Sequence, residues 1–146
     1  MSYTGSKAQP GRGSKLSIGT TPTEIGEVSD VPFNRPEWDF VDVSNFDSAV
    51  DQEMLPTMRK AASFTAKGNR VAADAGQLLV EAAYASGALN SFTLLLPLAA
   101  GQTVTGDKYV FNAYVKSCQF DVATTKQVEY SILLQTSGPI TYTAGS

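Results

Sequence analysis

Two pairs of carboxylates, Asp39 with Asp42 and Asp51 with Glu53, are the side chains here most capable of chemistry. Paired carboxylates perform general acid–base catalysis when desolvation raises the pKa of one member above that of the other. These pairs sit in the polar, loop-rich stretch EWDFVDVSNFDSAVDQE, residues 37–53, where solvated acids are expected instead. Asp47, Asp51 and Glu53 could offer oxygens to calcium, which needs several ligands converging in one loop, but their spacing matches no EF-hand. The chain has no histidine, which removes the commonest general base and the commonest metal ligand. Cys118, the single cysteine, falls on an expected strand and reads as a small, partly buried apolar residue rather than a nucleophile. Gly11-Arg12-Gly13-Ser14-Lys15 lacks the spacing and the preceding strand of a phosphate loop. Tyr109, Tyr114, Tyr130 and Tyr142 could line a carbohydrate site, although tyrosines are ordinary on strands. The residues therefore point to a non-enzymatic interaction protein with no cofactor and no metal.

Composition sets the frame for these residues. A chain of 146 residues fits one domain and buries roughly 70% of its unfolded surface, enough for a core without a disulfide or metal. One cysteine permits no intrachain disulfide, which fits a reducing compartment. The first nineteen residues lack the apolar stretch of a secretory signal, and no run approaches the roughly 20 apolar residues of a membrane span. A soluble cytosolic product without membrane insertion is expected. A net charge of −3 argues against binding nucleic acid by phosphate neutralisation. The charge is unevenly placed: residues 1–23 carry +3 (Lys7, Arg12, Lys15), residues 24–53 carry −8, and residues 54–146 carry +2, with Arg59, Lys60, Lys67 and Arg70 near their start. Such blocks are either solvated faces or complementary surfaces that meet between copies of the molecule.

The elements that must position these residues are mostly strands. Residues 1–14 read as a flexible or extended arm and 15–146 as a single domain. Leu16 and Ile18 alternate before a Gly19–Pro22 break, and Ile25 opens a weak strand toward Val31. Residues 37–43 alternate with Trp38 and Phe40 on one face and Val41 and Val43 on the other, so both faces are expected to meet protein. A long acidic loop spans about residues 46–60, and a short strand follows at 61–66. Asp74 to Ser86 is the one substantial helix, with Asp74 as N-cap, Gln77 completing a capping-box-like pair and Gly87 as the stop. Its expected sheet-facing stripe is Leu78, Leu79, Ala82, Ala83 and Ser86. Phe92–Leu96 is a buried strand ended by Pro97, with Leu94–Leu96 as core rather than a ligand pocket. The strand from Tyr109 slips phase near Ser117, which predicts a bulge, and forms a hairpin with the strand 128–136. A short strand at 140–142 follows the Ser137–Pro139 turn. The fold class is mainly β, an antiparallel sandwich or barrel with one flanking helix.

Several segments in colinear order resemble the major tail tube protein of long, non-contractile-tailed bacteriophages. They are Leu16-Ser17-Ile18-Gly19, Thr23–Val28, Asp39–Ser48, Met54-Leu55-Pro56-Thr57-Met58 (with Thr57 where the family has Gly), Asp74–Leu79 with Ser86-Gly87, Phe92–Pro97, Phe111–Lys116 and Ser131–Thr141. The resemblance covers most of residues 15–143. It implies a structural virion protein whose hexameric rings stack into the tail tube, the conduit for DNA ejection. It also implies partners: the tape measure protein, tail terminator and baseplate or tail-tip proteins, with DNA passing unbound through the lumen. The location implied is the virion tail, after assembly in the host cytoplasm. The secreted inner-tube protein of a contractile injection system and a non-enzymatic β-sandwich ligand-binding module are the alternatives. On this reading the arm and long loop bridge subunits. Phe46, Met54 and Leu55 are then covered by neighbours, while Asp47, Asp51 and Glu53 meet bases such as Arg59, Lys60, Lys7 or Arg12.

Overall fold

The computed structural model describes residues 11–44 and 51–146. Lys7, Phe46 and Asp47 lie outside the described residues, as does most of the expected arm. The elements are β1 (Lys15–Ile18), β2 (Thr23–Glu24), β3 (Val28–Asp30), β4 (Glu37–Asp42), β5 (Met54–Lys60), β6 (Ser63–Asn69), α1 (Ala75–Ser86), β7 (Asn90–Leu95), β8 (Lys108–Asp121), β9 (Glu129–Thr136) and β10 (Thr141–Thr143). One eight-stranded antiparallel sheet runs β2-β1-β7-β8-β9-β6-β3, with β10 also pairing β8, and curls into a half-barrel. Strands β4 and β5 form a separate two-stranded sheet. The second half of the expected 46–60 loop is therefore a strand.

Period-two alternation explains the core. Tyr130, Ile132, Leu134 and Thr136 of β9 point inward, and Phe64↔Leu134 and Ala66↔Ile132 pair directly with β6. On β8 the inward set is Phe111, Ala113 and Val115, after which the register slips between Val115 and Ser117 and lets Cys118 continue it. The slip is the bulge that the phase change predicts. Phe92 stacks on Phe111 at 5.8 Å, and Phe33 lies 5.6 Å from both Phe64 and Phe111. Phe33 comes from the irregular segment between β3 and β4, so its ring fastens the root of the β4–β5 hairpin to the core. Phe33 is partly buried, so it contributes less than the roughly 1.5–3 kcal/mol of a fully buried ring.

The helix begins and ends as its caps predict. Asp74 Oδ2 accepts from the Gln77 N–H at 3.0 Å, and Gly87 closes the last turn at φ 68°. Its buried face differs from the expected stripe: Gly76, Gln77, Val80 and Ala83 face inward, while Leu78 and Leu79 are half exposed. Two close approaches set this rotation. A Cβ on Gly76 would stand 2.2 Å from the Glu24 carbonyl, so only glycine permits the contact. Gln77 Oε1 accepts from Val71 N–H at 2.9 Å, and its amide donates to the Gly26 and Asn69 carbonyls at 2.9 and 3.0 Å. Gln77 thus ties two loops to the helix instead of completing a capping box.

Candidate subunit interface

The hairpin formed by β4 and β5 is exposed. Its strands pair only with each other, and every residue of β5 is exposed. The register pairs Glu37↔Lys60, Trp38↔Arg59, Phe40↔Pro56, Val41↔Leu55 and Asp42↔Met54. Between Trp38 and Phe40 the single residue Asp39 stands opposite both Thr57 and Met58. This bulge keeps Trp38, Phe40, Pro56 and Met54 on one face, and Val41 and Leu55 on the other. Trp38 and Phe40 each remain 54% exposed, and Leu55 on the opposite face 51%. Both faces therefore carry uncovered apolar side chains, where strand residues 37–43 were expected to be half buried. An isolated two-stranded hairpin is marginal in water, so a covering partner would stabilise it.

Polar contacts shape the ends. At the root, Lys60 Nζ lies 3.1 Å from Asp39 Oδ1, and the Arg59 guanidinium lies 5.4 Å from the Trp38 ring centroid. Toward the tip, Asp42 accepts from the Ser44 backbone N–H at 2.8 Å and from Gln52 Nε2 at 2.9 Å. The Glu53 N–H donates to Ser44 Oγ at 2.7 Å, and Val43 N–H donates to the Glu53 carbonyl at 3.0 Å. Ser44, and after it Gln52, hold the Asp42 carboxyl below its ordinary value. A general acid needs the opposite shift. Asp39 and Asp42 also fall on opposite faces of β4, so they form no dyad. Burial, followed by the Glu81 charge, pushes the Cys118 thiol up, away from nucleophilic character. Among the described residues no group of three or more His, Cys, Asp or Glu side chains could hold a metal.

Of the residues singled out from the sequence, the structure brings Glu53, Met54, Leu55, Arg59 and Lys60 into one hairpin, with Asp51 exposed at its tip. Arg12 is exposed on the stretch before β1, apart from that hairpin in the chain. Sequence reasoning missed Met58, the most exposed methionine of β5 at 71%, and the uncovered helix face of Leu78 and Leu79. The failure of Leu78 and Leu79 to fit beside Gly76 and Gln77 on one face was the available signal for the helix. No signal marked Met58, because strand β5 was expected as loop.

The curled antiparallel half-barrel with its one flanking helix has the fold of chains from several solved tail particles. Chains of the native gene transfer agent virion and of the C6-symmetric tail of the empty particle match it at TM-scores of 0.73 and 0.72. Each is 17% identical, over 94% of this chain and 100% of that one. A chain of the SPP1 tail tube matches at a TM-score of 0.70 with 18% identity, over 95% of this chain and 80% of that one. A chain of the sheath/tube terminator of an extracellular contractile injection system, PVC, matches at 0.69 with 14% identity, over 94% and 97%. At these identities the likeness is one of fold. No protein-family model matches the chain, and no curated protein matches its sequence.

Proposed function

We propose that this chain is a non-enzymatic subunit of a phage-type tail tube, assembling into hexameric rings that stack into a hollow conduit for DNA. The observation that carries the reading is the β4–β5 hairpin, paired strand to strand yet exposed on both apolar faces. Exposed apolar patches of this kind mark association sites. The fold likeness to a C6-symmetric tail supports six copies per ring. Head-to-tail contacts close such a ring, and stacking then continues open-endedly. The tube would reside in the virion tail, enclose a tape measure protein, and end on terminator and baseplate or tail-tip proteins. A net negative subunit suits a conduit past which phosphates slide without being held.

The fold likeness to the PVC terminator supports a second reading, the inner tube of a contractile injection system. A sheath protein that coats the assembled tube would favour it. Negative-stain microscopy of the concentrated full chain tests both readings. Rings or tubes with a central hole are expected; a protein that stays monomeric at high concentration would sink them.

A further inference from the structure

The register of the large sheet sorts its side chains onto two faces, one turned to the core and one turned away. Over β1, β7, β8, β9 and β6 the outward face is built of short polar side chains such as Ser17, Thr93, Asn112, Gln135 and Thr65. Of the large apolar side chains exposed among the described residues, only Tyr114 lies on it. The others belong to the hairpin, the helix, the loops or the core-turned side of the sheet. The carboxylates of this face stand at its margins. Glu24 and Asp30 are on the edge strands β2 and β3, and Asp121 and Glu129 are at strand ends, where both meet Lys126. Inside that border there is no acid, and there is one lysine on β8. The bulge between Val115 and Ser117 leaves Lys116 with no residue opposite it on β9. Lys116 therefore joins Ser117 on the outward face, exposed and without a carboxylate partner among the described residues.

We propose that this sheet face is the wall of the conduit and that Lys116 is the cation it presents to a passing phosphate backbone. The inference rests on the tube reading above and assigns a surface and a charge that the reading leaves open. A face that stays wet after assembly is polar, whereas the apolar sides of the hairpin and helix are the ones that neighbours can cover. A wall past which a polymer travels is also free of projections, and five paired strands of mostly short side chains supply one. The net charge of −3 does not describe this face, because its acids lie on the margin. An isolated cation among hydroxyls and amides draws phosphate toward the wall. It does not build the many simultaneous phosphate contacts on which tight binding depends. The β8 bulge thus acquires a purpose beyond bending the strand, since it turns one additional side chain toward the bore.

Thiol chemistry on assembled tubes tests the assignment, using the full-length chain with Tyr114→Cys and Cys118→Ser. Position 114 lies two residues from Lys116 on the same face, about 7 Å along the strand. A small maleimide should label it in intact tubes. A maleimide coupled to an antibody-sized protein, too wide for the bore, should label it only in dissociated subunits. Labelling of intact tubes by both reagents would put the face on the outside, and labelling by neither would put it in a subunit contact; either result overturns the proposal. Charge is read separately, at low salt where screening is weak. In tubes an anionic methanethiosulfonate should outpace a cationic one by at least threefold more than in the same tubes carrying Lys116→Gln, while Lys116→Arg should keep the preference. A ratio unmoved by Lys116→Gln removes Lys116 from the role. Should the Tyr114→Cys chain fail to assemble, Asn112→Cys on the same exposed face takes its place. If the parent chain forms no rings or tubes, it is the tube reading that fails, and this assignment falls with it.

Discussion

Lys60 Nζ stands 3.1 Å from Asp39 Oδ1 across the root of the hairpin, inside the same molecule. Arg59, one residue away, lies over Trp38 of the same hairpin. Two of the bases expected to meet a neighbour's acids, Arg59 and Lys60, already have partners within the hairpin. Both side chains of the Lys60–Asp39 pair are well exposed, at 71% and 42%, and exposed pairs contribute at most about 1 kcal/mol. The pair is therefore weak, and both charges stay accessible to solvent.

The apolar faces of the hairpin should matter for assembly and not for folding. Val41→Asp with Leu55→Asp places two carboxylates opposite each other on one exposed face. Surface changes of this kind shift stability by about 0.5 kcal/mol or less each. The thermal midpoint should move by a few degrees at most, while tube formation requires at least ten times more protein, roughly 1.4 kcal/mol per contact. Sedimentation velocity and microscopy on the same sample measure both; normal tubes would remove the hairpin from the interface.

Gly76→Ala should reverse the usual sign of a helix substitution. Alanine normally favours a helix over glycine by about 1 kcal/mol. Here the new methyl would meet the Glu24 carbonyl at 2.2 Å, and crowding of this type destabilises by about 1–3 kcal/mol. Urea unfolding should show a lower midpoint at an unchanged slope. A stabilised variant would mean that β2 yields easily.

Gln77→Leu should be costly despite its good apolar volume. It removes the side-chain partner of the Val71 N–H and of the Asn69 carbonyl, and leaves the Gly26 carbonyl with the Tyr130 hydroxyl at 3.2 Å alone. At about 1–3 kcal/mol for a buried group left without a partner, a total near 3 kcal/mol is expected. Hydrogen exchange should localise the loss to residues 26–28 and 69–74. Uniform acceleration across the sheet would contradict the assignment.

Asp107 should make the C-terminal segment acid-labile. Its Oδ1 accepts from Gly145 N–H at 2.8 Å and from Gln102 Nε2 at 2.7 Å. The Gly145 N–H, then the Gln102 amide, hold its carboxyl below the ordinary 3.8. A depressed carboxylate contributes stability that is complete above its unfolded pKa and is lost as pH falls through the folded value. Amides of residues 141–146 should therefore lose protection below pH 3.8, and Asp107→Asn should remove that pH dependence. Equal acid sensitivity in the variant would assign the effect to another group.

Much of this molecule was legible before any coordinates. The alternation in β8 and β9, the phase slip at Ser117, and the Asp74 and Gly87 caps are local signals, because a two-residue period or a cap is written in neighbouring side chains. The candidate interface was legible in its chemistry: Met54, Leu55, Asp51, Glu53, Arg59 and Lys60 stood out by type, and all lie on one exposed hairpin or at its tip. Its form was not. The stretch MLPTMRK contains a proline and pairs across a bulge, both of which hide a strand from periodicity, and its partner β4 ends at Asp42, well before it in the chain.

What the sequence determined alone was most of the strands, with β5 the exception, the single helix and its ends, and the separation of acidic from basic stretches, all of them properties of near neighbours. Tertiary structure decided which way the helix turns, since Gly76 and Gln77 are selected by a carbonyl at Glu24 and by loops at 26 and 69–71. It also decided that Phe33 fastens the hairpin to the core and that the hairpin's two apolar faces stay open. Those outcomes depend on close approaches between groups far apart in the chain, which no local period encodes.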